Sequence, residues 1–458
     1  MIHALKQRWH DPCGYKAILI VAIPLIIGTG ISFLQQFIGR MFLARYSLDA
    51  MSAAVPAGML NFSIMTIFLG TASYTGTFIA QYYGSKQYDK IGSVLWQGMY
   101  IALLGGIAHL ALIPLAPSIF SLFGHAPHVQ QFEVEYFGTL CLAVGPGVAA
   151  SVFSGYFSGL GRTLPLMWVN IVATAVNILA SYVLIYGKFG FPEMGIRGAA
   201  LSPLISYLVS CVIFACIVFS RKNEAEFRVR SERAFNKELF TRIIQYGFPN
   251  GIQFFLDMAA YTTFIILTGL ISTDALAASN IAFNINGLAF MPLVGFGIAI
   301  NIRVGQHIGE KRPDMAEKSA YSGFHLALTY MILVGILYVT VPHIFVELFR
   351  NKNDLARFEQ IKDVTAVLLR FIALYSIFDS FNIAFSSAIK GAGDTHFVMK
   401  MLIVISLCVL IIPSYIAIKL LHGSIYTAWI IATAYVCVLG VSFFLRFKHG
   451  AWKSMKVI

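Results

Sequence analysis

Residues 70–90 read GTASYTGTFIAQYYGSKQYDK, and residues 295–315 read GFGIAINIRVGQHIGEKRPDM. A constant offset of 225 positions aligns the two stretches without a gap. The identical pairs include Gly70 with Gly295, Gln81 with Gln306, Gly84 with Gly309, Lys86 with Lys311, and Asp89 with Asp314. Repetition at one fixed spacing indicates an internal duplication, which sets the architecture of the whole chain.

The duplication extends beyond these two stretches. The same offset aligns residues 24–90 with residues 249–315, and GLGRT at 159–163 matches GAGDT at 391–395 with an offset of 232. The pattern therefore predicts two similar lobes joined by a basic linker. We place the N-lobe at residues 1–219, the linker at 220–240 and the C-lobe at 241–458.

Long apolar runs recur along both halves. Of the 458 residues, 58% are hydrophobic and only 12% are charged, which is too little charge to cover a soluble protein of this length. Each run is long enough to cross a hydrocarbon core of about 30 Å. The runs lie near residues 17–45, 51–82, 92–123, 132–160, 163–187, 196–219, 241–271, 275–308, 318–349, 363–389, 396–420 and 424–445. They predict an all-α polytopic membrane protein of twelve transmembrane helices, six in each lobe.

The basic residues indicate the orientation in the membrane. If the N terminus is inside, the inside loops carry most of the loop Lys and Arg, as the positive-inside rule requires. We therefore expect both termini in the cytoplasm, and we interpret residues 1–16 as an amphipathic segment that stays on the mature protein. This bias, with anionic lipid as its partner, accounts for the net charge of +12. No loop is long enough for a nucleic-acid-binding domain.

Two carboxylates are conspicuous by their position. Of the 21 acidic residues, only Asp257 and Asp379 fall in the middle of predicted spans, in the seventh and tenth helices. A charge at that depth costs about 2.5–3.5 kcal/mol on insertion scales, so each needs a partner or a function. The pair is either two protonated carboxyls that hydrogen-bond neighbouring helices, or a site for a cation or proton.

Oxygen-bearing side chains nearby favour the ion site. Tyr375 lies one helical turn before Asp379 on the same face, and Asn280 and Asn284 form an i, i+4 pair in the eighth helix. Hard cations bind oxygen ligands of this kind, and a proton needs only a carboxyl group with a movable pKa. We predict a cation-binding site made of Asp257, Asp379, Tyr375, Asn280 and Asn284, with Na⁺ at the two aspartates.

Other chemistry has little support in the sequence. No Walker motif is present, no cysteine spacing indicates a metal site, and no catalytic cluster falls within a span. We expect the six cysteines to be small core residues. Two duplicated lobes without a nucleotide site are typical of a secondary transporter. We therefore expect no enzyme activity and no cofactor other than a transported Na⁺ or H⁺.

The chain resembles the multidrug and toxic compound extrusion (MATE) transporters, of the bacterial NorM-like branch, over nearly its whole length. The most specific parts are AASNIAFNINGLAFMPLVGFGIAINIRVGQHIGE at 277–310, its first-half counterpart ending in GSKQYDKIG, and LRFIALYSIFDSFNIAFSSAIKGAGDT at 369–395. The resemblance implies two six-helix lobes that export amphiphilic organic compounds by alternating access, against an inward Na⁺ or H⁺ flow. It also implies the inner membrane of a bacterium, and we expect a monomer.

The resemblance implies roles for three residues of the second lobe. In NorM-like members, an acid eight residues after the seventh-helix proline and a Tyr-x-x-x-Asp in the tenth helix form a cation site. These positions are Asp257, after Pro249, and Tyr375 with Asp379. Asp257 stands where relatives usually have Glu. It keeps the charge but is shorter by one methylene, which changes the geometry of the site or its choice of ion.

The first lobe departs further from the family pattern. The first-helix acid of many relatives is replaced by Arg40, the fifth-helix Asn-x-x-x-Asp by Asn177 with Ser181, and the sixth-helix Thr by Ser202. A cation site with a guanidinium and no carboxylate is electrostatically unfavourable, so we expect no Na⁺ there. Arg40 either snorkels to the outer interface or lines the cavity, where it repels cations or holds an anionic substrate group.

The sequence leaves the substrate and two other functions open. The candidate residues of an apolar, aromatic cavity for small organic substrates are Arg40, Asn177, Phe254, Phe255, Tyr261 and Phe290. A flippase for lipid-linked saccharides or other anionic amphiphiles has a related fold but usually a strongly basic cavity. Arg40 favours it, and the lack of further Arg or Lys in the middle of a span argues against it. A structural or receptor subunit would explain neither the duplication nor the two acids.

Overall fold

The computed structural model describes residues 8–350 and 355–458, and this part of the chain forms helices, turns and loops without a β-strand. Within these two ranges, twelve helices are long and apolar enough to cross a membrane. They are α1 (Tyr15–Tyr46), α2 (Asp49–Gly84), α3 (Tyr88–Ser121), α4 (Pro127–Gly159), α5 (Thr163–Tyr186), α6 (Gly195–Val218), α7 (Lys237–Gly269), α8 (Thr273–Gly309), α9 (Pro313–Thr340), α10 (Arg357–Ala392), α11 (Thr395–Leu420) and α12 (Ile425–His449). The predicted all-α class and the number of spanning helices are confirmed. Residues 1–7 of the predicted amphipathic segment lie outside the described residues.

Two of the spanning helices depart from regular α geometry. Tyr74 interrupts α2 between an α-helical segment that ends at Ser73 and one that begins at Thr75. In α11, π-helical turns at Ser406–Ile411 and Ile416–Leu420 flank Pro413. Proline cannot donate a backbone hydrogen bond, so the ladder of hydrogen bonds is displaced around it.

The two halves of the sequence repeat the same turn geometry. Lys86, between α2 and α3, and Lys311, between α8 and α9, have positive φ angles of 61° and 57°. A left-handed lysine is uncommon, so its recurrence at an offset of 225 positions indicates that the duplicated sequence folds the same way twice. The turns after α4 and α10 also correspond, since Gly161 and Gly393 both have a positive φ.

The chain packs as two compact units whose boundaries fall inside helices. The first unit contains the chain up to Ile26, Leu256–Ile308 and Arg312–Lys456, and the second contains Ile27–Phe255, Gly309–Lys311 and Val457–Ile458. The first parts of α1 and α7 therefore belong to a different unit from the rest of those helices. The division into an N-lobe, a linker and a C-lobe at the predicted boundaries stays a prediction.

Within the first unit, α10 packs against both α9 and α12. Glycines permit the closest approaches. A Cβ at Gly440 of α12 would lie 2.6 Å from the carbonyl oxygen of Phe378 in α10, and a Cβ at Gly297 of α8 would lie 2.7 Å from Ile383. Small residues allow helix backbones in a membrane to come this close. The glycines thus hold α8 and α12 tightly against α10, which carries Asp379.

Within the second unit, α4 has the packing role that α10 has in the first, and it contacts α2, α3 and α6. The segment between α6 and α7 lies along α3. Trp96 Nε1 donates to Val229 O over 2.7 Å, and Tyr100 Oη donates to Arg233 O over 2.6 Å. Because α7 begins at Lys237, the connection is a few residues shorter than the predicted linker.

Candidate functional site

The two mid-span acids lie in the same unit. Asp257 belongs to α7 and Asp379 to α10, and their charges interact. Asp257 is exposed, whereas Asp379 is only 7% exposed. One carboxyl is therefore accessible and the other lies deeper. Two like charges this close disfavour each other's ionised form unless a cation or proton is held with them.

Neutral polar groups surround Asp379. Tyr375, Asp379 and Asn382 lie along one face of α10, at positions i, i+4 and i+7. The Asn382 side chain lies close enough to interact with the Asp379 carboxyl group, and Asn286 Nδ2 of α8 donates to Tyr375 Oη over 3.3 Å. Within the described residues, the buried Asn286 Oδ1 has no hydrogen-bond partner. A buried oxygen without a donor calls for an explanation, and a bound cation or water would supply one.

A further hydroxyl group comes from α12. The charges of both Asp257 and Asp379 act on Tyr435, and Tyr435 Oη lies 3.2 Å from Ser406 Oγ in the first π-helical turn of α11. Five helices, α7, α8, α10, α11 and α12, therefore contribute oxygen-bearing side chains to one region of the first unit.

A buried base also interacts with this region. The apolar run predicted from the sequence ends at residue 389, but α10 continues to Ala392 and Lys390 is only 9% exposed. The charge of Asp257 acts on Lys390. Lys390 lies close to the end of α10 and not in the middle of the span, so the expectation of no further mid-span Lys or Arg is unaffected by it, but burial brings its ammonium group within the range of the Asp257 charge. Its positive charge offsets part of the cost of the carboxylates.

The two asparagines predicted as ligands form a contact with each other. Asn284 is exposed, and its Nδ2 donates to the backbone oxygen of Asn280 over 2.8 Å. The asparagine that contacts Tyr375 is Asn286, two positions further on and about 200° around the helix. The assignment of Asn280 and Asn284 to the cation site stays a prediction.

In the second unit, the positions where the family resemblance implies a first-lobe cation site hold neutral groups and an arginine. Asn177, Ser181 and Ser202 are 4%, 4% and 0% exposed. Ser202 Oγ donates to the backbone oxygen of Gly198 over 2.7 Å, and Asn177 Nδ2 is buried without a partner in the described part of the chain. Arg40 is exposed, and its charge acts on Tyr136 of α4.

The predicted cavity residues are divided between the units. Arg40, Asn177, Phe254 and Phe255 belong to the second unit, and Tyr261 and Phe290 belong to the first. Tyr261 is 37% exposed, its ring packs edge-on against Phe283 at 5.2 Å, and it lies close enough to Tyr375 for the two side chains to interact. Tyr261 is therefore connected to the region of the acid pair. The role of all six residues as a cavity wall stays a prediction.

The site residues predicted from the sequence do not include Asn286, Asn382, Lys390 or Tyr435. Asn382 had a usable signal, because it lies one helical turn after Asp379. The other three depend on how the helices are rotated against each other, which periodicity alone does not specify. Across the described ranges, no group of three or more His, Cys, Asp or Glu side chains could hold a metal ion.

Comparison with known proteins relates this geometry to a family. The family model described as MatE matches residues 24–183 and 249–416. The matched segments begin at residues 24 and 249, a difference of 225 positions, which is also the offset of the internal repeat.

Individual relatives align with this chain over most of their length. The chain is similar to the "Probable multidrug resistance protein NorM" of Thermotoga maritima, with 26% identity over 450 residues that cover 97% of this chain and 94% of the relative. The "Multidrug resistance protein NorM" of Burkholderia vietnamiensis is 26% identical over 381 residues, which cover 83% and 82% of the two chains. A solved outward-facing multidrug resistance MATE family transporter matches the fold with a TM-score of 0.88 at 19% identity, over 98% of this chain and 99% of that one.

Proposed function

This chain belongs to the MatE family of membrane transporters, and we propose that it is an antiporter that exports amphiphilic, drug-like compounds in exchange for Na⁺ or H⁺. Its curated relatives are named for multidrug resistance, which supports an organic substrate. The observation that carries the coupling is the interaction of Asp257 with Asp379 among neutral oxygen-bearing side chains.

In the proposed exchange, the ion reaches Asp257 first because this carboxyl is exposed, and it then meets the deeper Asp379. A bound Na⁺ or proton relieves the repulsion between the two carboxylates. Tyr375 and Asn286 supply neutral oxygen atoms, and Lys390 supplies compensating charge when no ion is bound. An ion that binds one conformation more tightly than another shifts the population between them, which couples its flow to the substrate.

The duplication supports alternating access of two lobes as the transport cycle. The bias of basic residues toward the inside loops supports two cytoplasmic termini in a bacterial plasma membrane. We also propose that the protein works as a monomer, since one chain carries both lobes.

Transport by purified protein in liposomes tests the coupling. A Na⁺ or H⁺ gradient is imposed, and efflux of a fluorescent organic cation is followed. Asp257→Asn and Asp379→Asn are each expected to lower gradient-driven efflux by more than about tenfold, because the neutral amide no longer holds the ion. Efflux driven by neither gradient in the wild-type protein would contradict the proposal.

Asp363→Asn is the matched control. Asp363 lies on the same helix as Asp379 but is exposed. This substitution removes an equal charge and should leave efflux near the wild-type rate. If Asp363→Asn impairs efflux as strongly as Asp379→Asn does, the loss reflects charge removal in general and not the acid pair.

A further inference from the structure

Three side chains outside the candidate ion site meet near the start of the chain. Cys13 precedes α1, His307 lies in the last turn of α8, and Met315 lies in the first turn of α9. Cys13 Sγ is 3.5 Å from His307 Nε2 and 3.5 Å from Met315 Sδ. All three residues belong to the first unit, and the proposed ion coupling uses none of them.

We propose that Cys13, His307 and Met315 form a binding site for Cu(I). Soft thiolate and thioether ligands select Cu(I), and an imidazole nitrogen also suits copper. The acid pair, by contrast, presents oxygen atoms, which suit hard cations. The two sites therefore differ in ligand chemistry, and the copper site is separate from the transported ion.

The distances between the donors fit a metal ion among them. Thiolate and imidazole ligands lie about 2.3 Å and 2.0–2.1 Å from a bound d¹⁰ ion such as zinc. At trigonal or tetrahedral angles, such donors are separated by about 3.6–3.8 Å. The 3.5 Å between Cys13 Sγ and His307 Nε2 is close to this separation. Binding would need only a small outward movement of the side chains.

The surroundings of the sulfur add a second observation. Cys13 and His307 are 1% and 7% exposed, whereas Met315 is half-buried and leaves a side through which an ion can enter. The Ser319 hydroxyl, 1% exposed, lies close enough to favour a Cys13 thiolate, yet it completes no hydrogen bond within the described residues. The hydroxyl is thus in position to donate to a metal-bound thiolate, as polar groups around metal ligands do.

Zinc fits these residues less well than Cu(I). Zinc sites are built from Cys, His and carboxylate ligands. Asp11 is the acid beside Cys13 in sequence, and its Oδ1 accepts a hydrogen bond from the Cys13 backbone N–H over 2.9 Å. Because Asp11 is engaged in this way, the third donor beside Cys13 and His307 is the Met315 thioether. A thioether ligand favours Cu(I).

Binding replaces a proton by copper without a change of oxidation state. Burial raises the pKa of the Cys13 thiol, so the metal-free site contains an S–H group at neutral pH. When Cu(I) binds, the S–H bond breaks, an S–Cu bond forms and the proton leaves to solvent. The charge of Asp11 opposes the thiolate form of Cys13, whereas the charges of Lys318 and Arg303 favour it.

The proposed copper ligands His307 and Met315 have no equivalent ligands at the corresponding positions of the other sequence repeat. At the offset of 225 positions, His307 corresponds to Tyr82 and Met315 to Lys90, neither of which resembles a copper ligand. The internal duplication therefore does not explain the presence of His307 and Met315 at these two positions. An occupied site would join the segment before α1 to the ends of α8 and α9 within the first unit, and it would raise thermal stability by binding the folded state.

Anaerobic titration of the purified protein with Cu(I), against the chromogenic chelator bicinchoninate, tests the proposal. One Cu(I) per chain is expected to bind more tightly than any further equivalents. Cys13→Ser and His307→Gln are expected to lower this affinity by about tenfold or more. X-ray absorption of the wild-type complex should show sulfur and nitrogen together in the copper coordination shell.

Two further variants separate the site from non-specific thiol binding. Met315→Leu keeps all six thiols and should still weaken Cu(I) binding several-fold. Cys216→Ser removes an exposed thiol and should leave binding unchanged. Equal affinity in wild type, Cys13→Ser and Met315→Leu would overturn the proposal, as would a sulfur-only coordination shell or a preference for Zn²⁺. Circular dichroism confirms that each variant is folded.

Discussion

At the scale of single residues, Asn286 connects α8 to the candidate ion site, because its Nδ2 bonds Tyr375 and its Oδ1 is buried without a partner in the described residues. Asn286→Ala should weaken Na⁺ binding about 2- to 13-fold, since one polar contact contributes about 0.5–1.5 kcal/mol. Isothermal titration with Na⁺ measures the effect.

Asn284→Ala is the control for this prediction. Asn284 is exposed and contacts the backbone of its own helix, so its loss should leave Na⁺ affinity unchanged. If Asn284→Ala weakens Na⁺ binding and Asn286→Ala does not, Asn280 and Asn284 hold the ion. In that case the face of α8 that carries Asn286 is not the face that binds Na⁺.

At the scale of helices, the contact between α10 and α12 depends on Gly440. A Cβ at this position would lie 2.6 Å from the Phe378 carbonyl oxygen, and a backbone atom cannot move aside as a flexible side chain can. Gly440→Ala should therefore separate the two helices and destabilise the protein by about 1–3 kcal/mol. A lower midpoint in thermal unfolding, with reduced gradient-driven efflux, is the expected result.

Gly30→Ala provides the comparison. Gly30 lies in α1, and a Cβ there would meet no atom within 4 Å. Alanine has the higher helix propensity, so stability should be unchanged or slightly greater. An equal loss of stability in both variants would mean that the glycines act through chain flexibility and not through close packing.

At the scale of the whole molecule, the two halves share a turn geometry but differ in charge. Asp257 and Asp379 lie in the first unit, whereas the second has Arg40, Ser181 and Ser202 at the positions where relatives carry acids or a threonine. We therefore predict one Na⁺ per chain, held at the acid pair. Binding should weaken as the pH falls, because a protonated carboxyl no longer attracts Na⁺.

Arg40→Asp tests this asymmetry. It should leave gradient coupling intact and shift substrate preference toward cations, because it reverses the local field. Efflux assays with cationic and anionic dyes would report both effects. Loss of coupling, with Asp257 and Asp379 unchanged, would show that the second unit takes part in ion binding.

The sequence alone determined the twelve helices, the duplication and the identity of the two mid-span acids. Each of these follows from a one-dimensional pattern, namely long apolar runs, a fixed offset, and a charge where the bilayer makes it costly. The helical spacing that groups Tyr375 with Asp379 was likewise readable, because both lie on one helix.

The tertiary structure decided which residues of different helices meet. Helical spacing suggested Asn280 and Asn284, but the rotation of α8 brings Asn286 to Tyr375. Lys390 lies just beyond the apolar run predicted from the sequence, and only packing shows that it is buried and interacts with Asp257. Cys13 and His307 are 294 positions apart in the sequence. Contacts between separate helices depend on their packing and rotation, which the spacing of residues along one chain does not encode.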